Sequence, residues 1–156
     1  MKGMQVLGAC SGASIIADLG TYFERKGIAY DDSHRQKAGI GQDFASLGIS
    51  VIDRESALYD AYRSGRIRKM PSRHHQALGS VKGTKLKVTA TAHTLGEDLI
   101  EAVERTDRSY ALGVQTHPEA AIRKLREHDE GRSRYIPSEE ALRLFRHFAD
   151  RCPESQ

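Results

Sequence analysis

Apolar and polar positions alternate along this chain in short blocks, and the first block sits close to the N-terminus. Val6-Leu7-Gly8-Ala9 is a brief apolar run ending in Cys10, which glycines bracket as Gly8-Ala9-Cys10-Ser11-Gly12. It reads as a buried strand that turns sharply into a helix. Ile15, Ile16 and Leu19 share one face of a helix over 13–19, with Gly20 as its stop. Residues 27–44 are polar and punctuated by glycine, an irregular excursion that carries His34. Ile49 and Val51 alternate with Ser50 and Asp53 as a half-buried strand, and Ser56 caps a short helix over 56–65 that turns Leu58 and Tyr62 inward.

In the second half, Leu86, Val88, Ala90 and Ala92 alternate with polar residues, and Gly96 precedes a second run, Leu99 to Glu104. This pattern predicts an antiparallel hairpin with a loop longer than the two-residue type. Tyr110 to Gln115 is a further buried strand, and residues 120–134 form a charged helix that frays near Gly131. Pro137-Ser138-Glu139-Glu140 opens a last helix, with Leu142, Phe145 and Phe148 as its inward stripe and Pro153 as its stop. No internal repeat or low-complexity tract interrupts this order.

Composition narrows the class. With 156 residues, 38% apolar and 29% charged, the chain is expected to be a single soluble domain over 1–156. The 24 Lys and Arg exceed the 21 Asp and Glu by only three, and the two signs are interleaved. A solvated face follows rather than a nucleic-acid surface. No apolar run approaches the roughly 18 residues of a membrane span, and Met1-Lys2-Gly3-Met4 leads into a strand rather than a signal peptide, so a cytoplasmic location is the expectation. Two cysteines, Cys10 and Cys152, make no disulfide framework, and Cys152 is assigned no role.

The chemistry-bearing residues fall in two segments. A cysteine in a strand-to-helix turn would face a helix N-terminus, whose unpaired N–H groups favour the thiolate. The run Leu112-Gly113-Val114-Gln115-Thr116-His117-Pro118-Glu119 ends a strand in an imidazole and a carboxylate. Those are the groups a cysteine nucleophile needs as base and as orienter of the base. Taken singly, each segment is equally compatible with an ordinary strand-turn-helix and with a structural histidine at a strand end.

Together with Pro71-Ser72-Arg73-His74-His75-Gln76-Ala77, these blocks resemble, in order, the class I glutamine amidotransferases, and within them the gamma-glutamyl-gamma-aminobutyrate hydrolase (peptidase C26) branch. The resemblance implies an α/β fold: part of a flavodoxin-like domain, with a mainly parallel central sheet, flanking helices and an antiparallel hairpin. It implies Cys10 as nucleophile, His117 as general base and acid, and Glu119 as the group that orients the imidazole. The Ser11 backbone N–H would supply one oxyanion donor, and Ser14, Ser72, His74, His75 and Gln76 would line the substrate site. Such a site cleaves a gamma-glutamyl amide through a thioester and needs no cofactor.

Two departures from the family accompany the resemblance. The chain starts nine residues before Cys10, where family members carry further strands and helices; an N-terminally truncated domain is the expectation, with a homo-oligomer or a complementing chain covering the open edge. The family's elbow also reads cysteine-x-glycine-x-glutamine, and counted from Cys10 its glutamine is replaced by Ser14 and the usual following arginine by Ser11. A catalytically inactive binding or regulatory module, or one subunit of a split enzyme, is the alternative to a working hydrolase. No metal site is expected, because His74, His75 and His117 lack the spacing of zinc motifs, and His34, His93, His128 and His147 read as surface residues.

Overall fold

The structure, a computed structural model, describes residues 3–34, 44–124 and 134–152. Its elements run α1 (Gly3–Cys10), β1 (Ile15–Ile16), α2 (Leu19–Glu24), β2 (Ala45–Val51), α3 (Ala57–Tyr62), β3 (Arg66–Ser72), β4 (Ala77–Leu78), β5 (Leu86–Thr94), β6 (Glu97–Arg105), β7 (Leu112–Val114), α4 (Pro118–Lys124) and α5 (Ser138–Ala149). Seven strands form one sheet in the order β1-β4-β6-β5-β2-β3, with β7 paired to β6 beyond the point where β4 leaves it. Every pairing is antiparallel. The mainly parallel sheet expected from the resemblance is therefore corrected for the described residues, while helices flanking a mixed α/β layer remain.

The largest local correction concerns the first block. Residues 3–10 are a helix and not a strand, because Met4, Leu7 and Gly8 recur at helical spacing and bury one face while Val6 points outward, 54% exposed. Its end is a Schellman motif. Gly12 takes φ +88°, its N–H donates to the Ala9 carbonyl, and the Ala13 N–H donates to the Gly8 carbonyl. The glycine that looked like the far side of an elbow is thus a helix stop. Downstream, the helix expected over 13–19 is replaced by β1 and α2. The Asp18 carboxylate accepts the Thr21 N–H at 2.8 Å and starts α2 there, so Gly20 lies inside a helix rather than ending one.

Elsewhere the pattern holds more closely. Ser56 caps α3 by accepting the Tyr59 N–H, and Leu58 and Tyr62 are buried as expected. β5 and β6 form the predicted hairpin, registered from Leu86 opposite Arg105 to Thr94 opposite Glu97. Its loop is shorter than expected: Leu95 and Gly96 alone make the turn, with φ of +51° and +85°, the both-positive pair of a type I′ turn. On α5 the buried face is Ala141, Leu144 and His147, whereas Phe145 and Phe148 are exposed at 42% and 54%. The expected frayed segment of the charged helix, from 125 to 133, lies outside the described residues.

Both faces of the sheet are covered. Consecutive β6 residues go to opposite sides: Val103 joins Met4, Leu78, Leu86 and Ile100 beneath α1, and Ala102 joins the larger cluster built with α3, α4 and α5. A third cluster, Leu19, Phe23, Ala77 and Leu99, seats α2. The closest approach is α1 on β7, where a Cβ added to Gly113 would stand 3.0 Å from Met4 Cγ, 3.2 Å from Leu7 Cδ2 and 3.2 Å from the Met4 Cα. Since one of these atoms is backbone, the helix has to shift to admit a methyl. Gly113→Ala is expected to lower stability by about 1–3 kcal/mol in urea unfolding, whereas Gly48→Ala, with open space around it, should not show this overpacking cost.

Candidate functional site

Buried Gln115 and Thr116 follow strand β7, and the chain then turns at His117 and Pro118 into α4. The His117 N–H donates to the Pro71 carbonyl at 2.8 Å, and this one bond ties the end of β7 to the end of β3. His117 Nδ1 and Glu119 Oε1 are 2.5 Å apart, so the carboxylate in the first turn of α4 fixes the ring as a base-orienting group would. The Phe44 ring stands edge to face with the imidazole, centroids 4.9 Å apart. His117 Nε2 is buried and has no hydrogen-bond partner among the described residues. Partial desolvation is the largest single influence and acts to raise the Glu119 carboxyl, but the hydrogen bond with His117, the bond from its own backbone N–H and the attraction of the imidazole together outweigh it and hold the group below the usual range.

Gln5, in the first turn of α1, completes the constellation. Its Nε2 donates to the Gln76 carbonyl at 3.2 Å and lies 3.5 Å from Gln115 Oε1, so α1 begins beside the carboxyl end of β7. The helix runs back from there. Beyond its far end Gly12 lies against Thr84, just ahead of the start of β5.

Cys10 occupies the last helical position, five residues and about 7.5 Å of helical rise beyond Gln5. It is exposed, is a free thiol, and lies at the opposite end of α1 from the Gln5–Gln115 contact. The assignment of Cys10 to a strand-to-helix elbow is therefore corrected. So is the oxyanion role of Ser11, whose backbone N–H is already committed to the carbonyls of Leu7 and Gly8 at 3.1 and 3.0 Å. Ser14 Oγ accepts the Ser80 N–H at 2.8 Å and its backbone pairs with Gly79 and Ser80, so it stitches the edge of the sheet at β1.

The second block divides. Ser72 and His74 are buried, His75 is exposed, and Gln76 is half-buried with its carbonyl shared by Gln5 and His74 Nδ1. Two histidines read as surface residues are buried: His34 at 0% exposure and His147 at 8%, the latter bonded to Asp60 at 2.9 Å. His93 is exposed and pairs with Asp98, while His128 lies outside the described residues. His34 Nδ1, His74 Nε2 and a Glu101 carboxylate oxygen converge in the interior, the one group among the described residues able to hold a metal ion.

Three participants went unmarked in the sequence: Gln5, His34 and Glu101. Gln5 had a usable signal. Gly3-Met4-Gln5 fits the glycine-x-glutamine tail of the family's elbow pattern, and Met1 then stands where the pattern has cysteine. His34 and Glu101 had none, because their partners are distant in sequence.

The family model described as Peptidase C26 matches residues 1–119. A Mycobacterium tuberculosis (strain ATCC 25618 / H37Rv) protein provisionally named glutamine amidotransferase Rv2859c is 32% identical over 128 residues, 80% of this chain and 38% of that protein. Among solved structures, a glutamine amidotransferase from Thermotoga maritima superposes with a TM-score of 0.51 at 16% identity, over 97% of this chain and 60% of its own. The glutaminase domain of Trypanosoma brucei CTPS, with bound acivicin, gives 0.49 at 18% identity, over 78% and 45%. The chain thus spans less than two thirds of each of these proteins.

The His117–Glu119 pair sets a pH dependence. A carboxyl held below its ordinary value in the folded state stabilises that state above the ordinary value and loses the contribution as pH falls through the lowered one. Thermal melts should therefore show wild type above Glu119→Gln at pH near 7, with the gap closing below about pH 4. A gap constant across that range would mean the carboxylate does not bond to His117.

Proposed function

We propose a reading that starts from family: the chain belongs to the Peptidase C26 family, of glutamine amidotransferase type, and it acts as a gamma-glutamyl-recognising domain that keeps the acid–base pair and lacks the thiolate. What carries it is the helical state of residues 3–10, which seats Gln5 beside Gln76 and Gln115 and removes Cys10 to the other end of α1. Counted from Gln5, the nucleophile position of the family pattern is Met1, whose thioether has no proton to lose and forms no thioester. The ligand class follows from the family's use of this glutamine on a glutamyl head group, with His117 and Glu119 next to the amide it carries.

Under this reading a gamma-glutamyl amide such as gamma-glutamyl-aminobutyrate binds without turning over. Gln5→Ala should weaken it about 3- to 10-fold in calorimetric titration, the usual worth of one hydrogen bond. Cys10→Ala should leave affinity unchanged. Iodoacetamide should label Cys10 at a rate similar to that of Cys152, since both thiols are exposed and neither is hydrogen-bonded to a base among the described residues. The hydrolase reading, with Cys10 as nucleophile, His117 as base and Glu119 as orienter, predicts the opposite: release of glutamate that disappears with Cys10→Ala and with His117→Ala. That result would overturn the proposal.

A further inference from the structure

His34, His74 and Glu101 meet inside the protein, and none of them faces solvent: their side chains are 0–1% exposed. They come from three places far apart in the chain, the segment after α2, the connection from β3 to β4 and the middle of β6. His34 Nδ1 and His74 Nε2 are 3.1 Å apart, and each is 3.3 Å from Glu101 Oε1. The three donors therefore form a nearly equilateral triangle. A tetrahedral ion with bonds of about 2.0–2.1 Å keeps its ligand atoms about 3.3–3.4 Å apart.

The outward atoms of both rings decide what the inward atoms can be. His74 Nδ1 lies 2.9 Å from the Gln76 carbonyl, which only accepts, so Nδ1 carries the hydrogen and the neutral ring directs a lone pair from Nε2 into the cluster. His34 Nε2 lies 2.5 Å from Thr94 Oγ1; donation there leaves Nδ1 as a second inward lone pair. Glu101 brings a carboxylate whose two oxygens have no hydrogen bond of acceptable geometry, although ring nitrogens stand 3.3 Å from one of them. Electron-rich atoms crowded together in a dry interior need a cation among them. A proton lies along one edge of the triangle, whereas a metal ion serves all three corners.

We propose that His34, His74 and Glu101 form a metal site for a borderline divalent ion of the Zn²⁺ class, held by two imidazoles and one carboxylate. Each imidazole is oriented by a fixed bond on its other nitrogen, the arrangement that raises ligand basicity and sets the tautomer. The role is structural. The ion would pin His34 and the residues leading to it onto the sheet, where the His34 carbonyl already accepts from Ser72 Oγ at 2.9 Å and the His74 N–H at 3.1 Å. Beyond that segment, Gln76 passes the constraint to Gln5, because its carbonyl accepts from both His74 and Gln5.

The test uses the full chain and needs no gamma-glutamyl ligand. After chelation with EDTA and dialysis, Co²⁺ titration should give visible d–d bands saturating at one ion per chain, displaced by Zn²⁺, and the apo form should melt lower than the Zn²⁺ form. Glu101→Gln, which keeps the shape and loses the charge, should weaken Co²⁺ by at least 10- to 100-fold, the loss typical when only a hydrogen-bond partner of a ligand is removed. His75→Ala, on the exposed neighbour, should bind as wild type does. Absence of a stoichiometric Co²⁺ spectrum, a melting point indifferent to Zn²⁺, or Glu101→Gln binding as tightly as wild type would each overturn the site and leave a shared proton as the cation.

Discussion

The contact of α1 with β7 at Gly113 is the constraint on which the arrangement of this protein turns. A helix can lie that close to a strand only where the strand offers no side chain, and the Met4 Cα lies 3.2 Å from where a Cβ on Gly113 would stand. Once seated there, α1 has no freedom to slide. Its first turn must end beside Gln115, and its last residue must emerge about 1.5 Å further away for each residue traversed. The location of Gln5 near Gln115 and the placement of Cys10 at the other end of the helix are therefore one fact seen from two ends. Stability and site geometry share it, since Met4 also belongs to the core cluster that closes over Leu78 and Val103.

Much of the fold was legible because it is written in period. The alternation from Leu86 to Ala92 and the run from Leu99 to Glu104 can only pair with each other across so short a connection. Ser56 announces α3 through an acceptor that any following helix would use. What misled was a run too short for period to decide. Val6 to Ala9 is apolar either way, and a glycine on each side of Cys10 suits an elbow and a Schellman stop equally well. Met4 and Leu7 break the tie, for a strand would have placed them on opposite faces, and both pack toward Gly113.

The site divides along the same line. His117 and Glu119 were readable from three consecutive residues, because Pro118 confines the turn and the pair closes on itself at 2.5 Å. Residues whose roles depend on partners 27 to 67 positions away carry no local mark. Glu101 sits in a strand whose neighbours are all apolar and buried, where an isolated carboxylate would be expected to face solvent. His34 lies in a polar, glycine-punctuated stretch that gives no hint of an interior. In both cases the register of β6 and the return of β3 decide burial, and neither is a property of the residue's own surroundings in sequence.

One carbonyl links the interior to the surface of the site. Gln76 O accepts from His74 Nδ1 on the inner side and from Gln5 Nε2 on the outer side, so any disorder of the His34–His74–Glu101 cluster reaches the first turn of α1 through two hydrogen bonds. Glu101 is coupled a second way, since its own carbonyl accepts the Gln115 N–H at 2.8 Å. Glu101 therefore fixes the strand end from beneath while Gly113 fixes the helix above it, and His117 is held between the two by its bond to Pro71. A charged cluster in the core is a costly way to stabilise a sheet. Its position, one carbonyl beneath the residues that would meet a ligand, gives it a use that an apolar core of the same volume would not have: it holds fixed the carbonyl on which Gln5 is oriented.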